Sequence, residues 1–386
     1  MPVSERGRRI LVNATNTTGA GARSSTLYFV PALVKAMPEA SLTFLLPDQP
    51  AFRSLSLGRH ARALYFPRAN GPAAELQRLR ELFFTVPRLA REVGAQVCLT
   101  LGDLGAFGLP CPQVILLRQP LLVYSRQETA GLAAWHPLKR WYLAQHFGLA
   151  ARRAARLIVQ TPVMADRAAR RYGLDRERIS IIPQALMLDP AAEGTAEVRC
   201  RPLVRCTKPK RLLFLAAYYP HKNHSILPAV AREVQRRGLS GQVHIFLTLE
   251  PEEISAASLG PCLHQHSSLL TNLGRLSRSE VGAALRASTA LFLPTLLESY
   301  GNIYLEALAC GRPILTSDRD FARWMCRDLA FYFDPLDARS IVDAIESLPE
   351  READDYAARA QEHLRSFPKD WNEVAERFAA AIRASA

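Results

Sequence analysis

Between residues 290 and 318 the chain reads as a strand, a turn, a helix and a second strand, and no other stretch constrains its fold as much. Residues 290–295 are a short apolar run of the kind that forms a buried strand. Ser299, Tyr300, Gly301 and Asn302 follow as the start of a helix. Gly311 and Pro313 end it, as a glycine past the last turn and a following proline do. Ile314–Ser317 then opens the next strand. A strand that feeds a helix through a tight glycine turn points helix-start amides at the space above the sheet, and that place favours phosphate. Glu298 sits on the turn, and Glu306 lies about two turns further on. Carboxylates so placed accept paired hydrogen bonds from hydroxyls, so one can reach a sugar and the other a ribose.

The same alternation runs through the rest of the 386 residues, which are enough for two domains of similar size. In the first half, apolar strands are expected near 10–12, 42–46, 96–100, 114–117, 156–160 and 178–184. A helix is expected from Ser24 towards Lys35, another over 73–92, and a third from Thr161 to a stop at Gly173. Residues 189–209 are polar, basic and proline-containing, and read as a linker. A second series follows at 211–216, 243–249, 269–276, 290–295, 314–317 and 330–333, with terminal helices from Arg359. Alternating strand and helix means a doubly wound, mainly parallel sheet. No run of 18 apolar residues suggests a membrane span. The start of the chain does not read as a secretory signal. Seven scattered cysteines without a Cys-x-x-Cys pair suit a reduced, cytoplasmic protein.

The stretch Glu298-Ser299-Tyr300-Gly301, then Glu306-Ala-Leu-Ala-Cys-Gly311-Arg-Pro313, resembles the nucleotide-sugar site of family-4 retaining glycosyltransferases. Their hallmark is a glutamate, an aromatic-glycine pair, and a second glutamate after seven intervening residues. The resemblance implies the α/β GT-B fold, two Rossmann-like domains facing each other across a cleft. The expected division is 1–190 for the acceptor-side domain and 191–369 for the nucleotide-sugar domain. Residues 370–386 are expected to form a helix crossing back to the first domain. By the same resemblance Glu306 would hold the ribose and Glu298 the donor sugar. Gly301 and Asn302 amides, with Lys222, would hold the diphosphate, and Tyr300, Ile303 and Asn223 would line that site. Lys222 stands in Pro220-His221-Lys222-Asn223, which looks like the family's Gly-Arg-x-x-x-x-Lys-Gly element, with Ala217 where the arginine is usual. Gly19 and Gly21 resemble the first domain's glycine-rich loop beneath the donor phosphate. No histidine stands in Leu116-Leu117-Arg118-Gln119-Pro120, where many relatives place one near the reacting sugar. Residues 269–277, with Asn272, Gly274 and Arg275, resemble the loop that holds the nucleobase.

The implied activity is retaining transfer of a hexose such as mannose from a UDP- or GDP-sugar to a glycan or lipid-linked acceptor. Cell-surface polysaccharide or lipopolysaccharide synthesis is the expected setting. No metal and no other cofactor are expected, and His221 with His224 lack a third ligand. A nucleotide-sugar 2-epimerase of the same fold and an inactive transferase-like partner subunit are the alternatives. The net charge of +13 concentrates in stretches, one between 199 and 211 and another between 129 and 165, where Lys139, Arg140, Arg152, Arg153 and Arg156 accompany Trp135, Trp141, Tyr142 and Phe147. Basic residues among aromatics suggest an anionic membrane surface at the inner membrane. No nucleic-acid-binding motif is visible. Asp103 reads as a turn residue.

Overall fold

Seven short strands form one parallel sheet in the computed structural model, which describes residues 7–69, 71–129, 132, 136–188, 198–349 and 355–385. They are β1 (Arg9–Asn13), β2 (Ser41–Pro47), β3 (Ala61–Phe66), β4 (Val97–Thr100), β5 (Gln113–Leu116), β6 (Arg156–Val159) and β7 (Ile179–Ile181). Their order is β3-β2-β1-β4-β5-β6-β7. The reversal between β1 and β4 is the switch point of a doubly wound sheet, where ligands bind at the carboxyl ends of strands. The central strands are buried at nearly every position, because helices cover both faces of such a sheet.

A second parallel sheet holds β8 (Lys210–Phe214), β9 (Val243–Leu247), β10 (Leu270–Asn272), β11 (Ala290–Leu293), β12 (Ile314–Ser317) and β13 (Ala330–Phe333). Its order, β10-β9-β8-β11-β12-β13, repeats the first pattern. The chain accordingly divides into two compact units, one of residues 1–125, 135–185 and 368–386, the other of 126–134 and 186–367.

The last helix, Trp371–Arg383, belongs to the first unit and packs on the helix Ala20–Ala36. Phe29 and Phe378 meet with ring centroids 4.6 Å apart, and Arg383 Nη2 donates to the Ala36 carbonyl at 3.2 Å. Each such buried ring contributes roughly 1.5–3 kcal/mol against exposure.

Four sequence expectations change here. β3 was not foreseen, because its side chains are only partly buried at the sheet edge. The first helix begins at Ala20, so Gly21 lies inside it and Gly19 caps it. The helix over 73–92 contains a π turn, Glu81–Thr85. Pro87 has no amide hydrogen for the carbonyl four residues back, and Val86 N bonds instead to Glu81 O. The linker ends early: Val198–Cys200 and Arg201–Arg205 are short helical turns of the second unit, because Cys200 and Leu203 are fully buried. The part of it from 189 to 197 lies outside the described residues. Among the described residues no helix is long and apolar enough to cross a membrane.

Candidate functional site

After β11, the buried Thr295 begins a turn that ends at Gly301, the residue before the helix Asn302–Ala309. Gly301 has φ +81°, and a Cβ there would stand 2.8 Å from the Tyr304 ring, so glycine is required twice over. Tyr304 is fully buried, and its hydroxyl meets Thr316 Oγ1 at 2.8 Å, which fixes the helix start against β12. At the other end Arg312 N donates to Ala307 O at 2.9 Å and Gly311 N to Leu308 O at 3.0 Å, with Gly311 left-handed. That is a Schellman stop, as the Gly311 and Pro313 signals predict.

Lys222 and Glu298 meet at the head of this turn. The ammonium donates to Glu298 Oε1, and Thr295 Oγ1 lies 3.1 Å from the same oxygen. The His221 carbonyl accepts from Leu296 N at 2.7 Å, which ties the 3-10 turn Pro220–Lys222 to the segment before Glu298. Burial by itself would raise the Glu298 pKa. The charge of Lys222 and the bonds from Lys222 and Thr295 outweigh it, so the carboxyl lies below its ordinary value. His221 is driven down to about 4, chiefly by burial and further by Lys222, against the opposing pull of Glu298. The site thus holds one carboxylate, one ammonium and a neutral imidazole side by side.

Glu306, buried in the next turn of the helix, takes a 2.7 Å hydrogen bond from Arg278 Nη2. Burial dominates here and raises its pKa despite that partner. Arg278 opens the helix Arg278–Ala287, whose start is a capping box between Ser277 and Glu280. Sequence reasoning missed Arg278; the Ser277-x-x-Glu280 cap was the available signal that a helix would begin there.

The other expected residues divide. Tyr300 is buried against Phe367, with centroids 6.4 Å apart, while Asn302 and Ile303 are partly exposed at the helix start. Asn223 is left-handed at φ +62°, and its Nδ2 donates to the Pro335 carbonyl at 2.8 Å, so its side chain is spent inside the fold. His224 is buried on the Phe214 ring, 4.2 Å between centroids. The turn around Ala217 is reached by Arg275, whose Nη2 lies 3.0 Å from Glu253 Oε1, the oxygen that also accepts Tyr218 N at 3.2 Å. Among the described residues no group of three His, Cys, Asp or Glu side chains could hold a metal ion.

In the first unit Gly19 and Gly21 have ordinary backbone angles, and a Cβ on either would meet nothing within 4 Å. The fold itself does not demand glycine at these places. Asp103 is a left-handed turn residue whose Oδ1 accepts Arg118 N and Gln119 N at 2.6 and 3.0 Å. The basic aromatic stretch is corrected in part. Phe147 is fully buried, and Arg140 is buried with Nη2 on the Tyr124 and Ser125 carbonyls. Trp135 lies outside the described residues. Leu138, Trp141 and Leu149 are the exposed apolar face of the helix Pro137–Arg153, at near-helical spacing.

Residues 209–351 match the family model for glycosyl transferases group 1, and the matched span contains Lys222, Arg278, Glu298 and Glu306. The matched span lies within the second unit. Part of the chain is similar to the D-inositol 3-phosphate glycosyltransferase of Rhodococcus opacus, 24% identical over 168 residues, 42% of this chain and 38% of that protein. The chain therefore spans less than two fifths of the length of that relative. Over nearly its whole length it resembles sucrose-phosphate synthase from Thermosynechococcus elongatus (TM-score 0.72, 13% identity, 97% and 98% of the two chains). It also resembles HepE of Anabaena, solved with UDP and glucose (TM-score 0.65, 16% identity, 96% and 98%). At these identities the structures share a fold, and with two parallel α/β units it is the GT-B fold.

Proposed function

We propose that the chain is a retaining glycosyltransferase that moves a hexose such as mannose from a nucleotide-sugar to a glycan or lipid-linked acceptor of cell-surface polysaccharide synthesis. The observation that carries this reading is the pairing of Lys222 with Glu298 at the head of the helix Asn302–Ala309, with Glu306 buried one turn inside it.

Each part has a task. Glu306, held by Arg278, accepts from the two ribose hydroxyls. Glu298, kept ionised, accepts from hydroxyls of the donor sugar. Lys222 gives its charge to the diphosphate as the sugar bond breaks, where a fixed cation stabilises the transition state more than the ground state. The helix-start amides of Asn302 and Ile303 add to that field. The acceptor oxygen attacks from the side the diphosphate leaves, which retains the anomeric configuration without a protein nucleophile. With these charges in place the reaction proceeds without a divalent metal. Gly19 and Gly21 leave backbone open to a ligand that no side chain obstructs. HepE binds UDP and glucose, which favours a UDP-sugar as the first donor to try.

The reading includes a peripheral seat on the cytoplasmic face of an anionic membrane. Leu138 and Trp141 are 70% and 55% exposed, and Lys139, bonded to Glu75 at 2.6 Å, joins their helix to the one bearing the exposed Leu76. Arg152 and Arg153 are exposed on the same helix.

A thermal-shift panel of UDP-, GDP- and ADP-sugars tests the proposal. A ligand that binds only the native state raises the melting temperature. One nucleotide series is expected to do so; no rise with any of them at millimolar concentration contradicts the reading.

A further inference from the structure

The turn Pro220–Lys222 is anchored from both sides. The His221 carbonyl accepts from Leu296 N at 2.7 Å and from Thr295 Oγ1 at 3.1 Å. Lys222 N closes the turn on the Tyr219 carbonyl at 2.8 Å, and Asn223 Nδ2 holds the Pro335 carbonyl at 2.8 Å. Side chains carried on so fixed a segment are preorganised for a ligand.

The His221 imidazole is one of them, and the roles given to Lys222, Glu298 and Glu306 leave it without a task. Its ring lies on the Tyr219 ring, with centroids 5.4 Å apart and planes at 18°, an offset stack that holds its orientation. Lys222 and Glu298 both act on its charge, so the ring stands beside that pair. The bonds that fix His221 run to its carbonyl and leave the ring out, and the residue is only partly buried.

The chemistry of the three groups is complementary. Burial brings the His221 pKa down to about 4, so at neutral pH the ring carries one N–H donor and one acceptor nitrogen. An ionised Glu298 only accepts, and Lys222 only donates. Lys222 and Thr295 both bond to the same Glu298 oxygen, Oε1. A carboxylate acceptor and an imidazole donor side by side suit a sugar, whose hydroxyls can give one hydrogen bond and take another.

We propose that His221 binds the transferred hexose, its ring N–H donating to a sugar hydroxyl beside the one that donates to Glu298. Tyr219, 47% exposed, backs the imidazole and keeps it aimed at the sugar. The inference rests on the donor reading above and adds to it a residue that reads the sugar and not the nucleotide.

Calorimetric titration of the full chain with UDP, GDP, UDP-glucose and GDP-mannose tests it. At least one hexose nucleotide is expected to saturate wild type. His221→Phe keeps a ring for Tyr219 and removes both nitrogens. It should weaken that hexose nucleotide about three- to tenfold, the loss of one neutral hydrogen bond. The parent diphosphate should stay within about twofold of wild type, because its charge is met by Lys222 and the helix amides. His221→Ala repeats the test without the bulk of a phenyl ring and should give the same split. A merely structural His221 would weaken diphosphate and hexose nucleotide alike. That parallel loss, or full affinity for the hexose nucleotide in either folded variant, would overturn this inference alone. Wild type that binds neither hexose nucleotide would overturn the donor reading and this inference with it.

Discussion

The ammonium of Lys222 is bonded to the carboxylate of Glu298, 76 positions further along the chain, and the pair sits in a largely closed setting. Truncating one leaves the other charged and poorly solvated. Lys222→Ala is therefore expected to cost about 1.5–3 kcal/mol of stability, the range for hydrogen bonds to charged groups. It should also lower kcat for glycosyl transfer more than it raises the donor KM, because the ammonium matters most as the diphosphate departs. Urea unfolding and initial-rate kinetics on the same preparation check both halves; an unchanged kcat would remove Lys222 from the reaction.

Gly301→Ala should be the most damaging single methyl on the donor turn. The φ of +81° strains any side chain, and the added Cβ would stand 2.8 Å from the Tyr304 ring, which is fixed by Thr316. A loss of about 1–3 kcal/mol is expected from the backbone alone, visible in the melting temperature. Thr316→Val should soften that effect by freeing the Tyr304 ring, and equal losses in both backgrounds would argue against the clash.

Stability should fall on acidification through a window set by buried histidines. His221, His224 and His244 are each lowered to about 4, mainly by burial. Unfolded histidine titrates near 6.5, so between about 6.5 and 4 the unfolded chain binds more protons and the native state loses ground. Glu298, also lowered, adds to the loss at still lower pH, as it is protonated below the ordinary glutamate range. Glu306 works the opposite way: its raised pKa gives a contribution that is full below the ordinary range and fades as pH rises through the raised value. Burial lowers His146 and His363 as well, and five histidines against one glutamate leave a net decline. His224→Phe, which keeps a ring on Phe214, should flatten the unfolding free energy between pH 6.5 and 4. A slope identical to wild type would show that His224 is not held neutral.

Transfer should survive chelation. The diphosphate is to be met by Lys222 and helix amides, so activity in EDTA is expected to equal that in magnesium or manganese. Activity that disappears in EDTA and returns with either metal would require a different charge arrangement at the site.

Most of the scaffold was readable because buried parallel strands are short apolar runs with sharp ends. Ile314–Ser317 and Ala330–Phe333 fall where the residues suggest, and the Gly311 stop is a local rule obeyed locally. What escaped depends on contacts distant in sequence. β3 carries an arginine and half-exposed side chains, so it has no apolar signature. Phe147 and Trp141 look alike in composition, and only the helix packing separates the buried ring from the exposed one. Arg278 and Arg118 owe their positions to partners 28 and 93 residues away, which no spacing rule connects.

The most direct measurement is calorimetric titration of UDP and GDP into wild type and Glu306→Ala. One nucleotide should bind wild type saturably. Glu306→Ala should lose about 1.5–3 kcal/mol of that binding, tenfold or more in affinity, because a charged acceptor for the ribose hydroxyls is gone. Equal affinity in a folded Glu306→Ala, or no binding of either nucleotide to wild type, would contradict the assignment of the donor to this turn.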